Sequence, residues 1–340
     1  MTRPTTIEAF LARCGWRDAR RQMLAGDASA RRYERITAGS RRAILMDVPP
    51  ESGLTVGPFV AVTAFLRDAR FSAPEILEAS PADGLLLIED LGDDLLARLC
   101  CDAPAREADL YAAAIDTLAA FHALTPPGPS DGWTAPPYEM AVLTREARLL
   151  LEWYVPGVSG HAVSADLAAE YEALMREAFT PVAEVRSGPV YRDYHAENLI
   201  WLPERTDVAR IGLLDYQDLL IGHPAYDVVS LLGDARRDIA PDLADVMLNR
   251  YLARSGLERD GFVTAKHILG AQRNLKIMGL FTRLSLRDGK ARYVDLLPRV
   301  WRLLTADLDH PDLARLSGWI ARHVPPPDAA ARARLAGAAA

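Results

Sequence analysis

One stretch of the chain combines short apolar strand patterns with a fixed order of acidic and amide side chains, and this combination constrains the fold most. Asp193 and Asn198 lie five positions apart, and Asp215 directly follows a four-residue apolar run. Asp and Asn also begin turns, and an Asp at the end of a strand is common, so each residue alone has a structural explanation. The joint order is much rarer and favours a functional site. The strand patterns that frame these residues lie at 189–191, 199–202 and 210–214.

Strand and helix patterns are segregated along the chain. Strand patterns crowd the first 90 residues, whereas helical patterns prevail afterwards, above all between 226 and 322. This segregation predicts an α+β fold with a small antiparallel-sheet lobe and a larger, mostly helical lobe. A run of three prolines and an Ala- and Arg-rich end predict a mobile terminus. The predicted parts are an N-terminal lobe at 1–89, a C-terminal lobe at 90–324 and a flexible tail at 325–340.

Charge and cysteine content argue against several classes of protein. The net charge is −7 at pH 7, whereas broad nucleic-acid binding usually needs a basic surface. Three cysteines with no CxxC pair argue against a disulfide framework or a structural zinc site. The sequence also lacks the apolar core of a signal peptide and any uncharged apolar run long enough to span a bilayer. We therefore expect a cytoplasmic monomer that binds neither nucleic acid nor membranes.

The segments 190–200 and 211–218 resemble the catalytic loop and the metal-binding segment of the protein-kinase superfamily. The resemblance implies a bilobal protein-kinase-like fold that binds ATP and Mg²⁺ and transfers a phosphoryl group. Phosphoryl transfer needs a base near the acceptor hydroxyl and hard oxygen ligands for Mg²⁺. Asp193 is then the expected base, and Asn198 and Asp215 are the expected metal ligands.

The residues that follow narrow the resemblance to the aminoglycoside phosphotransferase branch of that superfamily. The stretch 215–227 carries the acidic residues that recur in this branch. We expect Asp227 to be structural, opening a helix and bracing the catalytic loop. Asp218 is either a second metal ligand or a turn residue, and the sequence does not decide between them.

The N-terminal lobe supplies candidate ATP contacts but lacks one familiar residue. Protein kinases carry a lysine on the strand equivalent to 43–47 and pair it with a helix glutamate, and neither residue is present here. We therefore nominate Arg31, Arg32 and Arg42 to neutralise the phosphates, with solvated surface arginines as the equally weighted alternative. A hinge whose backbone meets adenine is expected at Glu89, Asp90 and Leu91. A phosphate-covering turn is expected at Gly26, Asp27, Ala28 and Ser29.

Several longer strings resemble the bacterial N-acetylmuramate/N-acetylglucosamine anomeric kinases of cell-wall sugar recycling. They lie at 26–33, 46–51, 191–195, 272–279 and 287–290. In that family the missing lysine is normal. The resemblance implies transfer of the ATP γ-phosphate to the C1 hydroxyl of the amino sugar, whose 1-phosphate then feeds peptidoglycan recycling towards UDP-N-acetylmuramate.

Residues that contact the sugar are harder to place from sequence. A polar sugar needs convergent hydrogen bonds and an aromatic face. Arg273, together with Arg283, could meet the lactyl carboxylate of N-acetylmuramate, although surface arginines and an aromatic core cluster are the slightly favoured alternative. The remaining sugar-contact candidates are Glu152, Trp153, Tyr154, His195 and Glu197.

Two other functions compete with the sugar kinase. A kinase of another small alcohol, such as an aminoglycoside or choline, would have a strongly acidic pocket for its cationic substrate. A non-catalytic nucleotide-binding module is suggested by the absent lysine, but Asp193, Asn198 and Asp215 argue against it.

Overall fold

The structure is a computed structural model that describes residues 2–24, 30–126, 128 and 133–337. By compactness the chain divides into two units, and each is described by itself. These units follow compactness, so they do not test the predicted lobe boundary at 89/90, which stays a prediction. The first unit comprises Met1–Thr117, Pro127–Ala135 and Ala196–Leu219, and the second comprises Leu118–Pro126, Pro136–His195 and Leu220–Ala340.

The first unit contains a five-stranded antiparallel sheet in the order β1-β2-β3-β5-β4. Strand β5 is buried at every position and β3 is buried from 43 to 47, so the middle of the sheet belongs to the core. Helix α1 (Arg3–Arg13) places Ile7, Phe10 and Leu11 in one core with the sheet. The strands are β1 (Arg20–Met23), β2 (Arg32–Ala38), β3 (Arg41–Asp47), β4 (Ile76–Ser80) and β5 (Leu85–Ile88).

A short hairpin and three helices complete the elements of the first unit. Strand β7 (Leu199–Trp201) pairs antiparallel with β8 (Ile211–Leu213), with Leu199 opposite Leu213. The helices are α2 (Gly57–Asp68), α3 (Leu96–Asp102) and α4 (Glu107–His122), and the division at 117/118 falls within α4.

The second unit is built around one long helix, α10 (Arg259–Leu286), which is buried along most of its length. Strands β6 (Gly188–Val190) and β9 (Leu220–Gly222) pair antiparallel, with Gly188 opposite Gly222. A π-helical turn at Leu150–Tyr154 joins α5 to α6. The remaining helices are α5 (Met140–Ala147), α6 (Val155–Ser159), α7 (Ala165–Ala183), α8 (Ala225–Leu232), α9 (Pro241–Ser255), α11 (Leu297–Leu308), α12 (Ala314–His323) and α13 (Ala329–Gly337).

The α+β class with an antiparallel sheet followed by a mostly helical region is confirmed. The tail differs from its expectation, because the described part of 325–340 contains α13 and buries Leu335 completely. The carbonyl oxygen of Leu335 also accepts a hydrogen bond from Ser285 at 2.9 Å. The apolar residues spaced through the Ala- and Arg-rich end therefore give it a packed helical face. Within the described ranges, no helix combines the length and apolar character that crossing a membrane requires.

Gly279 lets α10 approach the chain that precedes the π-helical turn. A Cβ atom at this position would lie 2.1 Å from the carbonyl carbon of Leu149, which is backbone and cannot move aside cheaply. We expect Gly279→Ala to lower the free energy of unfolding by more than about 2 kcal/mol through overpacking. Chemical denaturation measures this change.

Gly318→Ala in α12 is the matched control, because its Cβ would meet only the far end of the flexible Arg322 side chain at 3.4 Å. This control should be neutral or stabilising, since alanine favours a helix over glycine by about 1 kcal/mol. Equal stability changes in the two variants would contradict the close approach at Gly279.

Candidate active site

Asp193 lies in a loop that a buried aspartate holds by its backbone. Both carboxylate oxygens of Asp227 accept hydrogen bonds, one from the N–H of Tyr191 at 2.6 Å and one from the N–H of Arg192 at 2.8 Å. The ring of His122 contacts the same carboxylate at 2.9 Å. Arg192 has a left-handed backbone conformation (φ 76°), which is uncommon for a residue other than glycine and bends the chain directly before Asp193. These contacts match the bracing role expected for Asp227.

Glu146, on α5, forms a second and more extensive connection to the same loop. Its carboxylate lies 2.5 Å from the Arg192 guanidinium and 3.1 Å from the Nζ atom of Lys276. It also accepts hydrogen bonds from the Tyr138 hydroxyl at 2.6 Å and from the Gln272 amide at 3.2 Å. This set of contacts, here called the Glu146 network, joins α5, α10 and the catalytic loop.

The Glu146 network keeps its own carboxylate charged although it is buried. Burial by itself would raise the pKa of Glu146, but the charges of Lys276 and Arg192 outweigh burial and lower the pKa to about 2. The ammonium group responds in the opposite sense. Burial would lower the pKa of Lys276, but Glu146 raises it above its usual value. The carboxylate and its two cationic partners are therefore all charged at neutral pH.

The same cations act on Asp193. Burial would raise the pKa of Asp193, but the positive charges of Lys276 and Arg192 lower it below its usual value. Asp193 is therefore a carboxylate at neutral pH. In that form it can accept a hydrogen bond from an acceptor hydroxyl and then its proton.

The two predicted metal ligands, Asn198 and Asp215, lie at the same end of the β7–β8 hairpin in the first unit. Asn198 immediately precedes β7, and its carbonyl oxygen accepts a hydrogen bond from the N–H of Leu214 at 3.0 Å. The next residue, Asp215, is exposed and has a left-handed backbone (φ 58°). The side chain of Gln217 donates to its Oδ1 atom at 2.6 Å. The hairpin register therefore places both residues at the same end of one strand pair.

This donor set suits magnesium. A carboxylate and an amide oxygen are hard ligands, and Mg²⁺ usually completes its coordination with water and substrate phosphates rather than with an all-protein cage. No group of three or more His, Cys, Asp and Glu side chains among the described residues could hold a metal ion. Asn198 and Asp215 belong to the first unit and Asp193 to the second, so a common site for all three stays a prediction.

Of the arginines nominated for the phosphates, the structure singles out Arg31. Arg32 and Arg42 are exposed, whereas Arg31 is buried. Burial raises the pKa of the Tyr33 hydroxyl. The charge of Asp215 raises this pKa further and the charge of Arg31 lowers it, so these three groups lie near one another in the first unit. Arg31 therefore lies near a predicted metal ligand of the same unit.

The other expected ATP contacts stay predictions. Gly26, Asp27, Ala28 and Ser29 lie outside the described residues. Glu89 forms ion pairs with Arg205 and Arg67, and Asp90 pairs with Arg35 at 2.8 Å. Leu91 follows them and packs near Gly212. These ion pairs fix the side chains at the expected hinge, whose adenine contact would be made by its backbone.

The three consecutive residues proposed to contact the sugar, at 152–154, differ in their burial. Tyr154 is completely buried, and its hydroxyl donates to the carbonyl of Pro325 at 2.8 Å, so the structure favours the core role for it. Trp153 is half-buried and Glu152 is exposed, 3.6 Å from Arg148. Glu152 lines a cleft of about 700 Å³ between the π-helical turn and α7, and neither Asp193 nor Lys276 lines that cleft.

Of the remaining sugar candidates, His195 and Arg273 belong to the second unit and Glu197 belongs to the first. His195 is 5% exposed, and burial lowers its pKa to about 4, so its ring is neutral at pH 7. Arg273 is also buried, and its Nη2 atom donates to Ser230 at 3.1 Å. Glu197 is exposed. Arg273 is therefore not the helix-surface arginine that the alternative interpretation described.

Sequence reasoning missed the contacts of Glu146 and Lys276 with the loop that carries Asp193. A single glutamate on an amphipathic helix looks like a solvated charge. Lys276 carried a detectable signal, because it is one of only three lysines in the chain and lies within the string 272–279.

Comparison with known proteins gives matches to a family, to individual relatives and to a fold. The model of the phosphotransferase enzyme family (APH) matches residues 21–262. The chain is 41% identical to an N-acetylmuramate/N-acetylglucosamine kinase of Caulobacter vibrioides over 93% of this chain and 95% of that protein. It is 34% identical to the protein of the same name from Pseudomonas aeruginosa over 87% and 86% of the two chains. The solved structure of ADP-bound aminoglycoside phosphotransferase APH(2'')-Ib matches this chain with a TM-score of 0.60 at 12% sequence identity. The match covers 92% of this chain and 98% of that one. This likeness confirms the protein-kinase-like fold.

The Glu146 network predicts a large cost for removing one charge. In Glu146→Gln, Lys276 and Arg192 keep their charges without the buried partner, so we expect the free energy of unfolding to fall by about 3–5 kcal/mol. Glu172→Gln is the matched control, because Glu172 makes only exposed pairs with Arg148 and Arg176. It should change stability by less than about 1 kcal/mol. Similar losses in both variants, measured by denaturant unfolding, would refute the network's importance.

The position of Arg31 predicts a specific effect on nucleotide binding. Arg31→Gln should raise the KM for ATP about tenfold, because a charge-assisted hydrogen bond to phosphate contributes roughly 1.5–3 kcal/mol. Arg32→Gln is the matched control on the neighbouring, exposed position and should leave this KM within about twofold. Steady-state kinetics at saturating acceptor measures both, and a larger effect at Arg32 than at Arg31 would reverse the assignment.

Proposed function

Because this chain belongs to the phosphotransferase enzyme family and, within it, to the N-acetylmuramate/N-acetylglucosamine kinases, we propose that it transfers the ATP γ-phosphate to the C1 hydroxyl of both sugars. The chain is a phosphotransferase with an alcohol group as acceptor. The observation that carries the proposal is the position of Asp193, because Asp227 holds the N–H groups of the two preceding residues and the charges of Lys276 and Arg192 keep the Asp193 carboxylate ionised.

In the proposed mechanism, Asp193 accepts a hydrogen bond from the C1 hydroxyl and orients its oxygen towards the γ-phosphorus. As the new O–P bond forms, the bond from the γ-phosphorus to the bridging oxygen of ADP breaks, and the hydroxyl proton passes to Asp193. Positioning supplies most of the acceleration in such reactions. Mg²⁺, held by Asn198 and Asp215, would neutralise charge on the phosphates, and Arg31 would add a fixed positive charge.

The charge around Asp193 bears on the choice of acceptor. After burial, the cations Lys276 and Arg192 have the strongest effects on the pKa of Asp193, and Arg273 adds a smaller one. Because Glu146 and Asp193 balance Lys276 and Arg192, this region is not the strongly acidic pocket that a cationic aminoglycoside or choline would favour. This observation favours the sugar kinase over a kinase of a cationic alcohol.

We also propose that the 1-phosphate product enters peptidoglycan recycling towards UDP-N-acetylmuramate. The names of the relatives support the two sugars, and the anomeric position rests on the family resemblance. A cytoplasmic, monomeric enzyme suits the use of ATP and free cysteines.

The decisive test is to incubate the purified protein with ATP, Mg²⁺ and each sugar, and to identify the product by phosphorus and proton NMR. We expect a phosphate on C1 of both sugars. Asp193→Asn should lower kcat by about 10²–10⁴-fold, the range for loss of a general base, while ATP binding measured by calorimetry persists. Exposed Asp166→Asn is the matched control and should retain full activity. A 6-phosphate product would overturn the anomeric assignment, and absence of transfer to either sugar would overturn the proposed function.

A further inference from the structure

Two oppositely charged side chains in the second unit are almost completely buried and incompletely hydrogen-bonded. Asp234 is 1% exposed and Arg273 is 3% exposed. The Oδ1 atom of Asp234 accepts a hydrogen bond from the N–H of Arg236 at 2.9 Å, but its Oδ2 atom has no partner in the described part of the chain. The Nη1 atom of Arg273 likewise has none, although Nη2 donates to Ser230.

These two charges do not neutralise each other directly. Within the described ranges, Asp234 and Arg273 form no ion pair with one another. Burying a charge without a partner is costly, and buried polar atoms nearly always have a hydrogen-bond partner. A polar ligand that offers both a donor and an acceptor group would satisfy the two side chains.

Both side chains lie beside the catalytic loop. The hydroxyl of Ser230 links Arg273 to the loop, because it donates to the carbonyl oxygen of Arg192 at 3.2 Å, one residue before Asp193. Asp234 follows Ser230 by four residues, just after the end of α8. Burial lowers the pKa of His195 to about 4, an effect that Asp234 opposes and Arg273 reinforces, so all three groups are near one another.

We propose that Asp234 and Arg273 form a subsite for the uncharged ring substituents of the acceptor sugar. The Oδ2 atom of Asp234 accepts a hydrogen bond from a hydroxyl or from the acetamido N–H, and the Nη1 atom of Arg273 donates to a hydroxyl or to the acetamido oxygen. Neither residue reacts, so both are substrate-binding residues. This assignment rests on the proposed function and deepens it.

The subsite replaces the lactyl carboxylate as the partner expected for Arg273. The pair as a whole carries no net charge, and the carboxylate of Asp234 would repel a second carboxylate placed against Arg273. Hydroxyl and acetamido groups occur in both N-acetylmuramate and N-acetylglucosamine, so the two sugars should depend equally on this pair.

Asp234→Asn and Arg273→Gln test the subsite. We expect each variant to raise the KM for both sugars by at least about tenfold, since a site built to bind a hydroxyl loses affinity steeply when one partner is removed. The KM for ATP should stay within about twofold of the wild-type value. Asp238→Asn is the matched control, because Asp238 pairs only at the surface with Arg299 and Arg302 and should leave all of these constants unchanged.

Each outcome bears on one conclusion. If the wild-type protein phosphorylates neither sugar, the proposed function fails. If the wild-type protein is active and Arg273→Gln weakens only N-acetylmuramate, Arg273 binds the lactyl carboxylate and the subsite is refuted. Unchanged sugar KM values in both variants also refute it.

Deoxy sugars add a readout that general destabilisation of the fold would not reproduce. Single-deoxy analogues of N-acetylglucosamine are compared between the wild-type protein and Asp234→Asn. An analogue that lacks the hydroxyl bound by Asp234 should bind more weakly to the wild-type protein but lose nothing further in the variant. Equal losses in both proteins for every analogue would refute the contact. If Asp234→Asn unfolds, Arg273→Gln with the two natural sugars decides the question.

Discussion

The buried carboxylate of Glu146 is the interaction on which the candidate active site depends. Its two oxygens contact Arg192, Lys276, Tyr138 and Gln272, which come from separate parts of the second unit. An isolated carboxylate in this position would be strongly destabilising, whereas one whose lone pairs are all used can specify a single arrangement. Because Arg192 directly precedes Asp193, the side-chain network on Glu146 and the backbone contacts to Asp227 fix the position of the proposed base from two directions.

Electrostatics and geometry act together in this arrangement. The cations that balance Glu146 also lower the pKa of Asp193, so one set of charges both builds the loop and sets the ionisation state of the proposed base. In the first unit, backbone hydrogen bonds of the β7–β8 hairpin position the two predicted metal ligands. The register places Asn198 beside Leu214, so Asn198 is also near Asp215. Each unit thus carries some of the residues that the sequence pattern linked.

The sequence predicted the elements that are local and missed those that are not. The strand patterns at 189–191, 199–202 and 210–214 lie close to the observed strands, because each pattern is contained in a few residues. The order of Asp193, Asn198 and Asp215 was also recognisable in the sequence, because these residues lie on one short loop and on the hairpin that follows it. Glu146 meets residues 46 and 126 positions away, and no local pattern distinguishes such a buried charge from a solvated one. The packed end of the chain was missed for the same reason, because the helix at its end is defined by the buried partners it meets.

The central claim is that the C1 hydroxyl of the sugar meets the carboxylate of Asp193. A crystal structure of the protein with N-acetylglucosamine, Mg²⁺ and a non-hydrolysable ATP analogue measures this directly. We expect a distance of about 2.6–3.2 Å between the C1 hydroxyl oxygen and a carboxylate oxygen of Asp193, which is the range between a general base and the atom whose proton it removes. A complex in which another hydroxyl occupies that place, or in which Asp193 points away from the sugar, would contradict it.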